Sequence, residues 1–566
     1  MPLATSLRLD ASWVDYLLVA VYFLFVLGIG VMARRSVSSS LDFFLSGRSL
    51  PAWVTGLAFI SANLGAVEIM GMSANGAEFG MPTFHYYWIG AIPAMLFLAV
   101  VMMPFYYGSG VRSVPEFMLR RFGPAAHLVN SISFAVAQVL IAGVNLYLLA
   151  TIVNVLLGWN IWVSTLVAAV IVLSYITLGG LSAAIYNEVL QFFVIVAALL
   201  PLTVVALQKV GGWGGLKEKM AHAGTTDQLS SWPGNSLTQF SSDVWSSVGI
   251  VLGLGFVLSF GYWTTNFVEV QRAMASKDMN SARRAPVIGS FPKMFIPFII
   301  ILPGMMAAVV VPELAKFKAH GGTGGGLTYN DSLLLLMRDL LPNGLLGIAI
   351  AGLLAAFMAG MAANISAFNT VMSYDIWQTY VQKHKPDHFY TVFGRWATVV
   401  ATILAIGTTI LAKEFNNIMG YLQTLFGFFN APLFATFILG MFWKRMTSAA
   451  GWVGLVSGTI AAVVVAVLSH DGLGTLSVGV GWFDHLKGQG ASFVAAGAAF
   501  VVDILLSVLV TFVTRSKPEE ELRGLVYSLT PKADIADEHV GSWWQSPTRL
   551  AGVSLVLVII LNVIFH

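Results

Sequence analysis

Long apolar runs leave this chain one environment in which to fold, the lipid bilayer. A helix needs about 20 mostly apolar residues to cross the hydrocarbon, and in lipid a helix satisfies its backbone hydrogen bonds internally. We therefore expect an all-helical membrane protein with about fourteen transmembrane helices. The predicted spans are 14–32, 52–76, 83–107, 124–157, 160–180, 186–208, 244–268, 285–312, 343–373, 391–413, 416–442, 449–469, 490–514 and 547–565.

Composition excludes several classes of function. The chain is 57% hydrophobic and only 10% charged, whereas about a quarter of the residues of a soluble domain are charged. The net charge of +3 gives no reason to expect a nucleic acid partner, and the lack of cysteine excludes disulfides and thiolate zinc sites. The predicted spans contain no metal-ligand cluster and no catalytic triad, so we expect neither an enzyme nor a cofactor beyond a coupling ion.

Basic residues predict the orientation of the chain, because Lys and Arg accumulate in cytoplasmic loops. With the N-terminus placed outside, cytoplasmic segments hold 20 of the 30 basic residues, and one more lies inside a span. Both termini are therefore predicted to lie outside the cell, with long outer loops at 209–243, 313–342 and 470–489.

Two predicted spans have unusual centres. Residues 61–68 read SANLGAVE and residues 259–266 read SFGYWTTN. Irregular backbone survives at membrane depth only where protein or a water-filled cavity covers it, and paired broken helices form the central site of many transporters. Alternatively, the small residues in these two stretches only allow neighbouring helices to pack closely. The two breaks lie five spans apart, which predicts the following division: 1–51, an extra helix and loop; 52–208, the first inverted repeat; 209–243, an outer loop; 244–442, the second repeat; 443–566, three further helices.

Charged side chains inside spans are costly and are therefore functional candidates. Glu68 and Lys293 lie well inside their spans, while Glu269 lies nearer the cytoplasmic end and is interpreted as structural. Glu188 begins a helix, where an acid complements the helix dipole.

Short motifs occur in a fixed order over nearly the full length of the chain. They are DFFLSGRSLP at 42–51, SAN at 61–63, GMS at 71–73, VPEF at 114–117, GGLSA at 179–183, QR at 271–272 and YDI at 374–376. By these motifs the chain resembles the sodium/solute symporter family, especially its bacterial sodium/galactose and mammalian sodium/glucose cotransporters. The resemblance implies a LeuT-type fold, with a five-plus-five inverted repeat, one extra N-terminal helix and three extra C-terminal helices.

The resemblance implies part of a sugar-binding shell. Lys293 and Gln423 match side chains that contact the sugar in the sugar-transporting branch. Tyr262 and Trp263 match an aromatic pair that stacks on the sugar, and Tyr262 also matches the inner gate.

Three positions depart from that shell. Glu68 stands where the family has a sugar-contacting Gln, Tyr87 where a Glu is expected, and Ile141 where an Asn is expected. We include Glu68 and Tyr87 among the predicted substrate-binding residues.

The implied sodium site departs further. Backbone carbonyls of Ser61, Leu64 and Ala356 occupy the matching positions, but Ala359 and Gly360 replace the two adjacent hydroxyl residues. A hard cation binds through oxygen, so this site is predicted to be degenerate. Replacement ligands within reach in the sequence are Asn364, Ser366 or water.

The coupling mechanism is therefore open at the level of sequence. Sodium can bind a rearranged shell; alternatively Glu68 or Glu188 can carry a proton, or transport can be uncoupled. Glu68 and Lys293 can also form a fixed structural ion pair. The family resemblance favours sodium.

Alternating-access uptake of a small polar solute, expected to be a sugar, is the leading functional hypothesis, in a multi-pass protein of the plasma membrane. A transporter-like membrane sensor is the alternative from another class. The chain ends at His566, just after the last predicted span, so we expect no attached signalling domain.

Overall fold

The regular structure of this protein is helical. A computed structural model describes residues 9–34, 48–232, 234–323, 327–412, 415, 417–470, 472–473, 476–531 and 542–566, and within these ranges no strand forms. The family motif at 42–51 lies partly outside the described residues, as do the side chains of the GGLSA motif at 179–183.

Nineteen helices carry the fold within the described ranges. In chain order they are α1 Trp13–Arg34, α2 Ala52–Asn63, α3 Ala66–Phe79, α4 Met81–Gly108, α5 Val114–Phe122, α6 Pro124–Leu157, α7 Ile161–Val210, α8 Gly212–His222, α9 Asp243–Thr265, α10 Phe267–Met274, α11 Met279–Val310, α12 Pro312–Ala319, α13 Ser332–Leu340, α14 Leu345–Val381, α15 Asp387–Ala412, α16 Ile418–Phe442, α17 Ser448–Leu468, α18 Gly488–Val513 and α19 Pro547–Ile564. Short 3-10 turns and one helical turn, Glu519–Leu522, occur in the connections.

The helices confirm a polytopic membrane protein, and they coincide with the predicted apolar runs. Among the described residues, 11 helices are long and apolar enough to span a bilayer, and α2 with α3 forms one further, bent span. Trp13–Val26 and Ile161–Ile171 are shorter apolar stretches. Helical backbone is continuous through α7, where two spans were predicted. The number fourteen therefore stays a prediction.

Both unusual span centres are interruptions of helical backbone. α2 ends at Asn63, and the chain bends by 57° through Leu64 and Gly65 before α3 begins. The second interruption is at Asn266, whose extended backbone separates α9 from α10 and whose side chain accepts the Val268 N–H at 3.1 Å. The amide side chain thus satisfies one of the donors that a helix start leaves unpaired.

Glycines bring α3 and α11 into direct backbone contact. A Cβ at Gly304 would lie 1.9 Å from the Ser73 carbonyl oxygen, and a Cβ at Gly76 would lie 2.3 Å from that of Ile301. Membrane helices associate largely through such close packing. These two glycines therefore hold the second half of the broken span against its neighbour.

A lysine outside the spans closes the far end of α3. Lys318 Nζ donates to the Ala77 carbonyl oxygen at 2.5 Å and to Gln228 Oε1 at 2.6 Å. Gln228 comes from the loop after α8 and packs on Gly80, where φ is +76° and a Cβ would lie 2.4 Å from Gln228 Cβ. Burial lowers the pKa of Lys318 to about 8.

A buried acid joins the C-terminal helices. Asp503 of α18 accepts hydrogen bonds from Thr436 Oγ1 at 2.8 Å and Ser507 Oγ at 3.1 Å. The sequence analysis missed this intramembrane carboxyl group. Gly454 and Gly458 of α17 face it, since a Cβ at Gly454 would lie 2.6 Å from Asp503 Oδ1.

We predict that Gly304→Ala lowers the thermal stability of the purified protein, because the added methyl collides with backbone. Overpacking of this kind costs about 1–3 kcal/mol. Gly552→Ala on α19, where a Cβ has nothing within 4 Å, is the matched control and should leave the melting temperature unchanged. Equal melting temperatures for the two variants would contradict the close contact.

We predict that the contribution of Lys318 to stability rises as the pH increases from about 8 to 10, so that the pH profile of stability has a less positive slope in Lys318→Met than in the unmodified protein. The folded state disfavours the charged ammonium, so between the lowered pKa and the ordinary value of 10.5 the unfolded chain binds more protons. Melting temperatures of both proteins across this range test the prediction. Parallel pH profiles would show that Lys318 does not contribute.

Candidate functional site

A polar cavity lies where the two interrupted spans meet. It has a volume of about 80 Å³, enough for several water molecules, so its polar groups are not confined to a dry core. Its walls come from α2, α3, α4, α6, α9, α11, α14 and α16. The polar and aromatic lining residues are Asn63, Glu68, Tyr86, Asn145, Ser259, Tyr262, Trp263, Asn266, Lys293, Asn364, Gln423 and Phe426.

The ammonium group of Lys293 is the centre of the site. Its side chain is 1% exposed and donates to Glu68 Oε1 at 3.0 Å and to Asn63 Oδ1. Nζ also lies 4.7 Å from the centre of the Tyr87 ring and 5.1 Å from that of Trp263, where ring faces attract a cation. One buried charge is thus held by a carboxylate, an amide and two rings.

Local structure explains why the lysine reaches this position. Met294 and Phe295 form a turn between the two halves of α11, directly after Lys293. Trp88 Nε1 donates to the Met294 carbonyl oxygen at 3.0 Å. A buried indole therefore satisfies backbone that the turn exposes.

The carboxylate of Glu68 is placed by the first interruption. Glu68 is the third residue of α3, in the first turn, where unpaired N–H groups favour negative charge. Glu269 is likewise the third residue of α10 after the second interruption. The two broken spans therefore present acids at equivalent positions.

Hydrogen bonds connect the two interruptions. Asn63 Nδ2 donates to Tyr262 Oη at 3.3 Å, and Tyr262 Oη donates to Glu269 Oε1 at 2.8 Å. Because Asn63 also accepts a hydrogen bond from Lys293, a chain of hydrogen bonds through Asn63 and Tyr262 connects the lysine to Glu269. This contact supports the structural interpretation of Glu269 and gives the predicted gate residue, Tyr262, two polar partners.

Aromatic rings form the other side of the cavity. The Tyr262 ring lies 4.5 Å from that of Phe426 and packs edge-on against Trp263 at 5.4 Å. Phe426 of α16 also lies in the cavity wall. Tyr87 is beside Lys293, whereas its neighbour Tyr86 lines the cavity and donates to Gln489 Oε1 at 2.9 Å.

The remaining predicted substrate residue, Gln423, lines the cavity and donates to Met419 Sδ at 3.3 Å. Sequence reasoning missed Asn63 and Asn145 as site residues. Asn63 belongs to the SAN motif at the break, and Asn145 lies one helical turn after Ile141, where the family resemblance had predicted an amide. The amide is thus present on the same helix face, displaced by four residues.

The predicted sodium-site positions meet beside this cavity. Gly65 and Gly360 face each other, since a Cβ on either would lie 3.2 Å from the Cα of the other. Asn145 Oδ1, which borders both glycines, has no hydrogen-bond partner among the described residues, and the same holds for the buried Ser61 Oγ in the last turn of α2. Unpaired oxygens in a region of helix-end carbonyls are the donor set that a hard cation takes, so the residues present fit sodium.

Glu188 lies elsewhere, in an ion pair. Its carboxylate accepts from Arg272 Nη2 at 2.6 Å and Nε at 3.2 Å, and both side chains are fully buried. Arg272 also donates to the Val268 carbonyl oxygen at 3.0 Å. The pair ties α7 to α10, and Glu188 does not line the cavity.

Two interrupted spans that enclose a central polar cavity define a membrane transporter for a small solute. Comparison with known proteins agrees: the sequence pattern of the Sodium:solute symporter family matches residues 43–458. The chain belongs to this family. Membership supports sodium-coupled solute uptake, with sodium as the coupling ion.

Relatives and solved structures extend this result. The chain is 28% identical over 460 residues to a sodium/glucose cotransporter of Vibrio parahaemolyticus, covering 79% of this chain and 84% of the relative. It is 29% identical over 476 residues to sodium/glucose cotransporter 2 of Rattus norvegicus, covering 79% and 70%. A Na⁺-coupled sialic acid symporter in an outward-open state shares the fold, with a TM-score of 0.72 at 17% identity over 90% of this chain and all of that one. The predicted LeuT-type fold is confirmed.

We predict that Lys293→Met strongly destabilises the protein and that Glu68→Gln in the same chain recovers most of the loss. Removing one partner of a buried ion pair costs about 3–5 kcal/mol, because the other charge stays buried and unpaired. Melting temperatures of the single and double variants in detergent measure this coupling. Lys444→Met, which removes a pair whose side chains are 49% and 63% exposed, is the control and should change little. Additive effects of the two site substitutions would contradict a direct pair.

Proposed function

We propose that this protein takes up a sugar or a similar polyol with sodium by alternating access. The observation that carries the proposal is the convergence of four polar side chains and three aromatic rings on one cavity: Lys293, Glu68, Asn63 and Gln423, with Tyr262, Trp263 and Phe426. A pyranose has an apolar C–H face and a rim of hydroxyls, so it needs an aromatic surface and several donors and acceptors. The sodium/glucose cotransporters among the relatives support the same class of solute.

Charge balance in the cavity favours an uncharged solute. Glu68 and Lys293 neutralise each other at 3.0 Å. Family resemblance implies an acid at the Tyr87 position and an amide at that of Glu68. In this chain the acid is Glu68, next to the first interruption, and the ring of Tyr87 lies beside Lys293 where the family has the acid. The exchange preserves a neutral pair while it alters the pattern of hydrogen-bond groups.

Sodium is the proposed coupling ion. Glu68 is assigned a fixed role in the proposal, because its carboxylate lies 3.0 Å from the Lys293 ammonium. Glu188, the other predicted proton site, is also paired and lies off the cavity. Both acids therefore act in the proposal as fixed charges: Glu68 positions Lys293, and Glu188 holds Arg272.

The inner gate is proposed at Tyr262. Its ring contacts Phe426 of α16, and its hydroxyl links Asn63 of α2 to Glu269 of α10. Opening toward the cytoplasm would require this ring to leave its place between the two interrupted spans.

The proposal also includes the topology. We infer inverted repeats over 52–208 and 244–442, supported by the acids at the third position after each break, and extracellular termini in the plasma membrane, supported by the basic residues of the loops.

Uptake into proteoliposomes tests the function. We expect an inward sodium gradient to drive accumulation of one member of a panel of labelled monosaccharides and inositols, and a pH gradient alone to drive none. Glu68→Gln should not change the response to pH if its charge is fixed. Lys293→Ala/Glu68→Gln, which removes the ammonium without leaving a lone acid, should abolish solute binding.

Counterflow of the same solute distinguishes a carrier from a sensor, since only a carrier exchanges solute across the membrane. Accumulation driven by a proton gradient, and lost in Glu68→Gln, would overturn sodium coupling. The absence of counterflow for every polyol tested would overturn the proposed solute class.

A further inference from the structure

Asn145 carries a buried oxygen atom that has no partner. The side chain lies on α6 and is 2% exposed. Its Nδ2 donates to the Ile141 carbonyl oxygen at 3.2 Å, while Oδ1 accepts no hydrogen bond from any described residue. A buried acceptor left unpaired is destabilising, so this oxygen is expected to have a ligand in the working protein.

The orphan oxygen points at the contact between the first interruption and α14. A Cβ at Gly360 would lie 3.1 Å from Asn145 Oδ1. A Cβ at Gly65 would lie 3.5 Å from the same atom and 3.7 Å from the Ala356 carbonyl oxygen. The amide oxygen and the Ala356 carbonyl therefore border one space. No side chain fills this space, because residues 65 and 360 are both glycine.

The end of α2 carries further oxygen atoms without partners. The Ser61 side chain is fully buried, and its Oγ has no partner among the described residues. It lies in the last turn of α2, where the carbonyls of a helix that ends at Asn63 lack the usual donors four residues later. Oxygen donors from the break, α14 and α6 suit a hard cation.

Position also explains the absent hydroxyl at 360. A serine at 360 would place its hydroxyl beside Asn145 Oδ1, because the amide oxygen is only 3.1 Å from the Cβ position. The asparagine side chain and a hydroxyl side chain at 360 thus compete for the same space.

We propose that Asn145 Oδ1 is a sodium ligand in this chain. It supplies an oxygen in place of the hydroxyl groups that the family resemblance implies at positions 359 and 360, where this chain has alanine and glycine. The inference rests on the proposed sodium coupling and names a residue for it. An amide adds a strong dipole without adding charge, so the cation would enter a region whose net charge is unchanged.

The test measures sodium binding without transport. Purified protein is titrated with NaCl at constant ionic strength, with choline as the replacement cation, and the melting temperature gives an apparent sodium affinity. KCl provides the selectivity control. Asn145→Ala should weaken sodium binding by about ten-fold or more, as expected for loss of a polar contact with a charge.

A second substitution distinguishes a ligand from a structural residue. Gly360→Ser alone should destabilise the protein, because its Cβ meets Asn145 and Gly65. In the Asn145→Ala background only the contact with Gly65 remains, so Asn145→Ala/Gly360→Ser should be less destabilised than Gly360→Ser and should recover sodium affinity. Asn154→Ala, the same substitution nearer the end of α6, is the control and should leave sodium affinity unchanged.

Three results would overturn the inference. Sodium affinity unchanged in Asn145→Ala would show that the amide is not a ligand. Weaker solute binding at every sodium concentration, with sodium affinity intact, would assign the amide to the solute. A lack of sodium-dependent stabilisation in the unmodified protein would remove sodium coupling as well, whereas solute binding measured in choline would still test the proposed solute class separately.

Discussion

A single buried ammonium group constrains the centre of this protein. Lys293 lies within a membrane-spanning segment with 1% of its side chain exposed, and a charge there persists only if polar groups surround it. Glu68 and Asn63 provide that environment from the two sides of the first interruption. The lysine therefore requires the break, because only a helix end brings a carboxylate and an amide five residues apart to one cation.

The interruptions in turn determine where ions and solute can bind. Each break begins a new helix whose third residue is an acid, and each leaves backbone groups without helical partners. At the second break Asn266 caps the new helix with its own side chain. At the first break Gly65 has no side chain, and the space beside it is bordered by Gly360, Asn145 and Ala356. This difference supports the proposed cation site at the first break, while the second contributes Tyr262, the residue of the proposed gate.

Particular residues show how far sequence reasoning reached. The breaks were predicted from glycine, amides and an acid inside apolar runs, and the structure interrupts the helices within those stretches. Lys293, Glu68, Tyr262, Trp263 and Gln423 were predicted as site residues and all line the cavity. Asn145 and Phe426 were missed, because a polar residue or a ring on an otherwise apolar helix does not reveal which face is turned inward. Glu188 was considered for proton coupling, and its pairing with Arg272 depends on α7 and α10, which are remote in sequence.

The sequence by itself determined that the chain folds in a lipid bilayer, that its structure is helical, and where the two helix breaks lie. Hydropathy and backbone satisfaction act over one segment at a time, so about 20 consecutive residues contain the necessary information. Only the tertiary structure decided which polar atoms share a space: Lys293 with Glu68, Tyr262 with Asn63, and Asn145 with Gly360. Those pairings arise from glycine contacts and helix bends that set distances between spans to within a few ångströms. Ion and solute binding depends on such distances, and no local pattern in the chain encodes them.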